Sequence, residues 1–126
     1  LKAVNLNVVM FRDRRKGIRR VSQIAEFEAE KGGASANVLY RWVSETDKIV
    51  KHGVSSRFFE DVSRNTGMSE TEINQELAER KKIFSWLAKE NIRGLVEFGK
   101  VMNLYYRNKE FLLKAIQRGD RKSILN

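Results

Sequence analysis

Ser69-Glu70-Thr71-Glu72 is the stretch that decides the fold of this chain, because it opens the clearest helix of the part of the sequence that has helical spacing. A serine followed three residues later by a glutamate forms a capping box, in which the two side chains bind backbone N–H groups left free at a helix start. Beyond it, Ile73, Leu77 and Phe84 recur along one helical face. The stretch therefore predicts the start of the clearest helix in the sequence.

Helical spacing extends to both sides of this helix. Ser55 or Ser56 can cap an earlier helix, which Gly67 ends in a left-handed conformation. A third helix follows the capping-box helix, and Asn108 caps a fourth that ends at Gly119. We therefore expect a bundle of about four helices over about residues 55–118.

The first part of the chain has a period of two, which is typical of half-buried strands. Apolar side chains alternate with other residues in the first strand, at Val4, Leu6, Val8 and Met10. Charged turns are predicted at residues 13–17 and 44–47. The predicted fold class is α+β, with an antiparallel meander over about residues 4–51 followed by the helices. The predicted domains are a β-hairpin segment (1–51), a helical bundle (52–118) and a loose tail (119–126).

The composition excludes several kinds of site. The 126 residues include no cysteine and one histidine, so disulfides, thiolate metal sites and two-histidine metal sites are excluded, and we predict no metal site. No apolar run approaches the roughly 20 residues that cross a bilayer, so we do not expect the chain to span a membrane. The net charge is +9, with seven basic residues against one acidic residue in residues 1–20.

The sequence lacks the parts of a nucleotide-hydrolysing site. Lys122-Ser123 is the one Lys-Ser pair, and no glycine stands at the upstream spacing that a phosphate-binding loop needs. His52 follows a predicted strand and is interpreted as a turn residue. We predict no catalytic residue in this chain, and no activity for the chain alone.

One dense basic cluster is a candidate for binding. Arginine binds phosphate oxygens in pairs, but a basic hairpin turn can also be no more than a solvated surface. Sequence-specific nucleic-acid recognition is not expected, because no basic recognition helix or exposed aromatic side chain accompanies the cluster. Both interpretations of the cluster, phosphate contact and solvated turn, stay open. Its members are Arg12, Arg14, Arg15, Lys16, Arg19 and Arg20.

Aromatic residues supply the candidates for a protein interface. Trp86, Tyr105 and Tyr106 can each belong to an interface or to a core stripe. Consecutive tyrosines in one helix cannot both face inward, so one hydroxyl of the pair is expected at the surface.

Two motifs give the chain a family resemblance. Arg19-Arg20-Val21-Ser22-Gln23-Ile24-Ala25-Glu26 is similar to the RRV-x-x-I-x-E stretch that follows the Walker B and histidine-box motifs of type II/IV secretion ATPases. Asn37-Val38-Leu39-Tyr40-Arg41-Trp42, followed by Asp47, resembles the N-x-(I/L)-(F/Y)-x-W…D hairpin of that family. The second half resembles the C-terminal helices of its archaeal branch at Gly67-Met68-Ser69, Glu76, Arg80, Phe84-Ser85-Trp86-Leu87, Asn91-Ile92-Arg93 and Tyr105-Tyr106. The resemblance covers roughly residues 4–116.

The resemblance implies the C-terminal portion of a hexameric P-loop ATPase that powers type II/IV secretion or pilus or archaellum assembly. ATP and Mg²⁺ would be bound by the parent protein, because the Walker motifs are absent here, and Leu1 looks like an internal cut. The implied partners are other subunits of the ring and a membrane platform protein, with the protein in the cytoplasm, peripheral to that platform. Arg19 and Arg20, ahead of Arg14 and Arg15, are the candidates for nucleotide-facing or inter-subunit contact. The alternative is a basic nucleic-acid-binding module that uses the patch Arg12–Arg20.

Overall fold

A computed structural model describes residues 5–126 of the chain, and it confirms the α+β class: a four-stranded antiparallel sheet is followed by helices. Val4, assigned to the first strand from the sequence, lies outside the described residues. The chain forms two compact units, which divide between Glu70 and Thr71. We call them the sheet unit and the helical unit.

The sheet unit is built on a meander in which each strand pairs with the next along the chain. Bulges interrupt the β1–β2 pairing after Val9 and the β2–β3 pairing after Ile24. The short turns at residues 14–17 and 44–47 form where the sequence predicts them, with positive φ angles at Gly17 and Asp47. The strands are β1 (Leu6–Asp13), β2 (Ile18–Glu30), β3 (Gly33–Val43) and β4 (Lys48–Lys51).

The first helix, α1 (Phe58–Thr66), belongs to the sheet unit, although the sequence placed it in the helical bundle. Its capping was also predicted wrongly. The N-cap position is Arg57, which makes no side-chain cap, and the carboxylate of Glu26 on β2 binds the first backbone N–H groups instead. Gly67 ends the helix in the left-handed conformation, as predicted. A contact between residues some thirty positions apart therefore moves the boundary between the units beyond α1.

The helical unit contains the longest helices of the chain, α2 (Glu70–Lys89) and α3 (Leu95–Arg118). Helix α2 begins directly after Ser69, where the capping box predicts it. The predicted third and fourth helices form one element, α3, with a kink at Asn108 (φ −154°, ψ 73°). The Asn108 side chain accepts a hydrogen bond from the Phe111 N–H, so this residue caps the second half of α3 as the sequence indicated.

The structure replaces the predicted loose tail with a short helix, α4 (Arg121–Leu125). Asp120 caps it by accepting hydrogen bonds from the backbone and the hydroxyl of Ser123. Ile124 is buried in the core of the helical unit, and this apolar contact outweighs the entropy of a free terminus. That core also contains Ile83, Trp86, Leu87, Val101, Tyr105, Leu112 and Ala115.

Candidate functional site

The basic cluster predicted from the sequence lies at the tip of the β1–β2 hairpin. The turn is held from inside by Asp13, whose Oδ1 accepts hydrogen bonds from the backbone N–H of Arg15 (2.8 Å) and of Lys16 (3.2 Å). Gly17 provides the positive φ of 65° that the turn requires. The carboxylate of Asp13 thus stabilises the backbone of the turn. The basic side chains lie exposed at the tip of the hairpin.

Arg20, one of the two arginines that the resemblance favours, has a partner within the chain. Its Nε and Nη2 lie 2.6 and 2.7 Å from the two carboxylate oxygens of Asp47, which is the bidentate arrangement of an arginine–carboxylate pair. The Trp42 Nε1–H donates to the same carboxylate at 2.9 Å, and the Trp42 ring packs against Phe11 at 4.9 Å. The Arg20 guanidinium and the Trp42 N–H hold the pKa of Asp47 below its ordinary value.

This contact changes the interpretation of the arginine candidates. Arg20 connects the β1–β2 hairpin to the β3–β4 turn, so its guanidinium is committed to Asp47. Arg14, Arg15 and Arg19 are exposed, and within residues 5–126 none of their side chains forms an ion pair or a hydrogen bond. The structure therefore brings Arg20 together with Asp47 and leaves the other three predicted arginines on the surface.

Arg19 lies directly opposite another arginine across the hairpin. The strand register pairs Arg12 with Arg19, and the side chain of Arg12 is also exposed without a carboxylate partner among the described residues. Like charges at directly opposed strand positions destabilise a sheet. The two arginines form a like-charge pair that the described part of the chain does not neutralise.

Glu26 is a site residue that the sequence reasoning missed. Its side chain is 0% exposed, and its two carboxylate oxygens accept hydrogen bonds from Asn37 Nδ2 (2.9 Å), the Ser55 hydroxyl (2.9 Å), the Ser56 N–H (2.6 Å) and the Phe58 N–H (3.0 Å). Burial alone would raise the pKa of Glu26, but these hydrogen bonds outweigh it and lower the pKa to about 2. Glu26 is therefore an anion that fixes the start of α1 to the sheet. The sequence signal was one acidic residue beside the apolar Ile24, Ala25 and Phe27.

The interface candidates of the helical unit separate into buried and exposed residues. Trp86 and Tyr105 are buried in the core of the helical unit, as the interpretation of these residues as a core stripe expects. Tyr106 is 70% exposed, which confirms that one hydroxyl of the tyrosine pair lies at the surface. The Tyr105 hydroxyl donates to Glu76, which also pairs with Arg80 at 2.9 Å.

Arg80, which pairs with Glu76, also lies close to the rings of both tyrosines. Its guanidinium lies 4.9 Å from the centre of the Tyr105 ring and 5.8 Å from that of Tyr106, within the range of cation–π attraction. Burial raises the pKa of Tyr105, and the hydrogen bond to Glu76 adds to the effect. Arg80 thus lies against the ring of the exposed Tyr106 while it is paired with Glu76. Large apolar side chains are also exposed on this unit, at Leu77, Phe84, Leu95 and Val96.

The described residues also bear on two other properties, the binding of a metal ion and the crossing of a membrane. Within residues 5–126, no group of three or more histidine, cysteine, aspartate or glutamate side chains is placed to hold a metal ion. None of the helices in that range combines the length and the apolar character needed to cross a bilayer.

Comparison with known proteins shows a distant similarity to an archaeal protein. No family model matches the chain. An uncharacterized protein of Methanocaldococcus jannaschii is 31% identical over 124 residues. The similarity covers 93% of this chain but 17% of the relative, so the chain spans a small part of the length of the protein it matches.

Proposed function

We propose that this chain is the non-catalytic C-terminal portion of a hexameric P-loop ATPase that powers type II/IV secretion or pilus or archaellum assembly. In that assembly it serves subunit contact and force transmission. ATP and Mg²⁺ are bound and ATP is hydrolysed by the parent protein, in the cytoplasm and peripheral to a membrane platform. The similarity to part of a much longer archaeal protein agrees with this proposal.

The observation that carries the proposal is that polar residues of the two resembling motifs pair with one another in space. Arg20 of the first motif binds Asp47 of the second, and Trp42 donates to the same aspartate. Glu26, the last residue of the first motif, accepts a hydrogen bond from Asn37, the first residue of the second. If the two motifs resembled the family by chance, there would be no reason to expect their polar residues to bind one another. The two motifs contact each other at two places: Arg20 on β2 binds Asp47 in the β3–β4 turn, and Glu26 on β2 accepts a hydrogen bond from Asn37 on β3.

Force transmission suits these contacts, because they connect parts of the sheet unit that are far apart in the sequence. The Arg20–Asp47 pair joins the tip of one hairpin to the turn of the next, and Glu26 joins the sheet to α1. A displacement applied to β2 is thus passed to the β3–β4 turn and to the start of α1. Subunit or platform contact is assigned to the exposed residues of the helical unit, in particular Tyr106, Leu95 and Val96.

The proposal is tested by reading the coding sequence in frame, upstream of the codon for Leu1. It requires a GxxxxGK[ST] loop within roughly the preceding 200 residues, about one domain length. It also requires that the purified 126-residue chain shows no ATP turnover. A start codon directly before Leu1, or turnover by the pure chain, would contradict it.

A second candidate function is a basic nucleic-acid-binding module, and the unpaired arginines of the hairpin favour it. Binding through phosphate contacts releases counterions, so it weakens steeply as salt increases. Fluorescence anisotropy with labelled DNA or RNA at two salt concentrations separates the candidates. Tight and strongly salt-dependent binding supports the second function, and absence of binding removes it.

A further inference from the structure

The tip of the β1–β2 hairpin holds more positive charge than its fold uses. The exposed basic side chains are Arg12, Arg14, Arg15, Lys16 and Arg19, and the adjacent Asp13 is occupied with backbone N–H groups. Folding would be favoured by separating Arg12 from Arg19, which oppose each other directly. An arrangement that opposes folding, and that has no partner among the described residues, points to an anion outside the chain.

The shape of the tip selects the kind of anion. Sites for small ligands are concave and surround most of the ligand. The five basic side chains are instead exposed around a two-stranded turn, so each reaches outward from a convex surface. Such a surface can contact many anionic groups at once, provided that they are spread over an extended partner.

Apolar side chains on the same strand distinguish a membrane from a nucleic acid. Met10 lies two residues before Arg12, on the same face of β1, and its side chain is 64% exposed. Val8, two residues before Met10 and further from the tip, is also exposed. Apolar residues beside basic ones suit the interface of an anionic bilayer, where the chains enter the headgroup region and the cations stay with the phosphates. The nearby aromatic rings, Phe11 and Trp42, pack against each other and are not free to stack on bases.

We propose that the β1–β2 hairpin tip is a membrane-surface contact, in which Met10 enters the headgroup region of an anionic bilayer and Arg12, Arg14, Arg15, Lys16 and Arg19 bind lipid phosphates. The inference stands on the geometry of the hairpin and does not depend on the ATPase proposal.

Binding of the 126-residue chain to vesicles of equimolar phosphatidylcholine and phosphatidylglycerol, measured by co-sedimentation, tests the proposal. Each basic residue near an anionic membrane contributes about fivefold in affinity, so Arg12→Gln with Arg19→Gln should weaken binding about 25-fold. The matched control removes two exposed lysines from the other edge of the sheet, Lys48→Gln with Lys51→Gln, and should change binding by less than about threefold. The hairpin variant should unfold no more readily than the original chain, because it relieves a like-charge pair.

Met10→Ser separates the membrane from other polyanions. It should weaken vesicle binding about tenfold, through loss of apolar burial, and leave binding to short duplex DNA unchanged. The proposal is overturned if pure phosphatidylcholine vesicles bind equally well, or if the control loses as much affinity as the hairpin variant. It is also overturned if Met10→Ser has no effect on vesicle binding while duplex DNA binds more tightly, which would assign the hairpin to nucleic acid. Failure of vesicle binding by the product of the complete reading frame would show that other parts of that protein cover the hairpin, and would overturn the proposal as well.

Discussion

Replacing Glu26 by glutamine is the perturbation whose effect can be worked out most fully. Glutamine keeps the size of the side chain but turns one acceptor oxygen into an NH₂ donor. In one orientation the NH₂ faces the Ser56 N–H, and in the other it faces the Phe58 N–H, because the two carboxylate oxygens of Glu26 each accept from one of these groups. A buried N–H therefore loses its acceptor in either orientation, which costs about 1–3 kcal/mol.

The lowered pKa gives a second estimate of the same quantity. A shift from an ordinary value of about 4.3 to about 2 corresponds to about 3 kcal/mol of stabilisation of the charged form. Solvent around the sheet unit screens the charge of the carboxylate, so its contribution to stability is smaller than this figure. We expect Glu26→Gln to lower the free energy of unfolding of the sheet unit by about 2 kcal/mol. That is a large fraction of the stability of a unit of this size.

The pH dependence follows from the direction of the shift. Because the folded pKa is lower than the unfolded one, the stabilisation is complete above about pH 4.5 and is lost as the pH falls towards about 2. The difference in stability between the original chain and the Glu26→Gln variant should therefore be constant near neutral pH. It should shrink across that acidic window as the carboxylate becomes protonated.

Fluorescence can follow the sheet unit separately, because each unit contains one tryptophan, Trp42 and Trp86. Urea unfolding is measured in a Trp86→Phe background, so that Trp42 reports. The control is Glu30→Gln, which makes the same charge change on the same strand at an exposed position and should cost less than about 0.5 kcal/mol. Equal effects of the two substitutions, or a stability difference that does not change between about pH 4.5 and 2, would refute the assigned role of Glu26.

Three further substitutions test the packing of each unit. Gly53→Ala should destabilise the sheet unit by about 1–3 kcal/mol, because the added Cβ would lie 2.5 Å from the Val38 carbonyl oxygen. Gly33→Ala is the control and should be neutral, because its Cβ would meet nothing within 4 Å. Urea unfolding followed by Trp42 fluorescence compares the two variants. Ile124→Ala should cost the helical unit about 2–4 kcal/mol in the corresponding measurement with Trp86, whereas a loose tail would leave its stability unchanged. Gly99→Ala, in the interior of α3 with free space around it, should raise the melting temperature of that unit through a gain of about 0.5–1 kcal/mol, and a loss would contradict the open surroundings of this residue.

Periodicity and capping residues predicted most of the secondary structure, because they report local geometry. The alternation in β1 and the helical spacing after Ser69 each depend on residues a few positions apart, as do the glycine at 67 and the asparagine at 108. The structure follows each of these four local signals.

The contacts that position the site could not be predicted, because they join distant parts of the sequence. Nothing local indicates that Glu26 caps a helix some thirty residues later, and a serine at 55 or 56 was the natural choice. Arg20 looked as free as its neighbours until the fold brought Asp47 to it across two hairpin turns. The tail was misjudged for a related reason, since Ile124 becomes informative only when the apolar pocket that receives it is known.

The native mass and ATP turnover of the protein encoded by the complete reading frame test the proposed function most directly. Light scattering would be recorded with and without a non-hydrolysable ATP analogue, and turnover would be compared with that of the 126-residue chain. The account predicts a hexamer that hydrolyses ATP, and no turnover by the chain alone. A product that neither binds nucleotide nor forms a ring would contradict it.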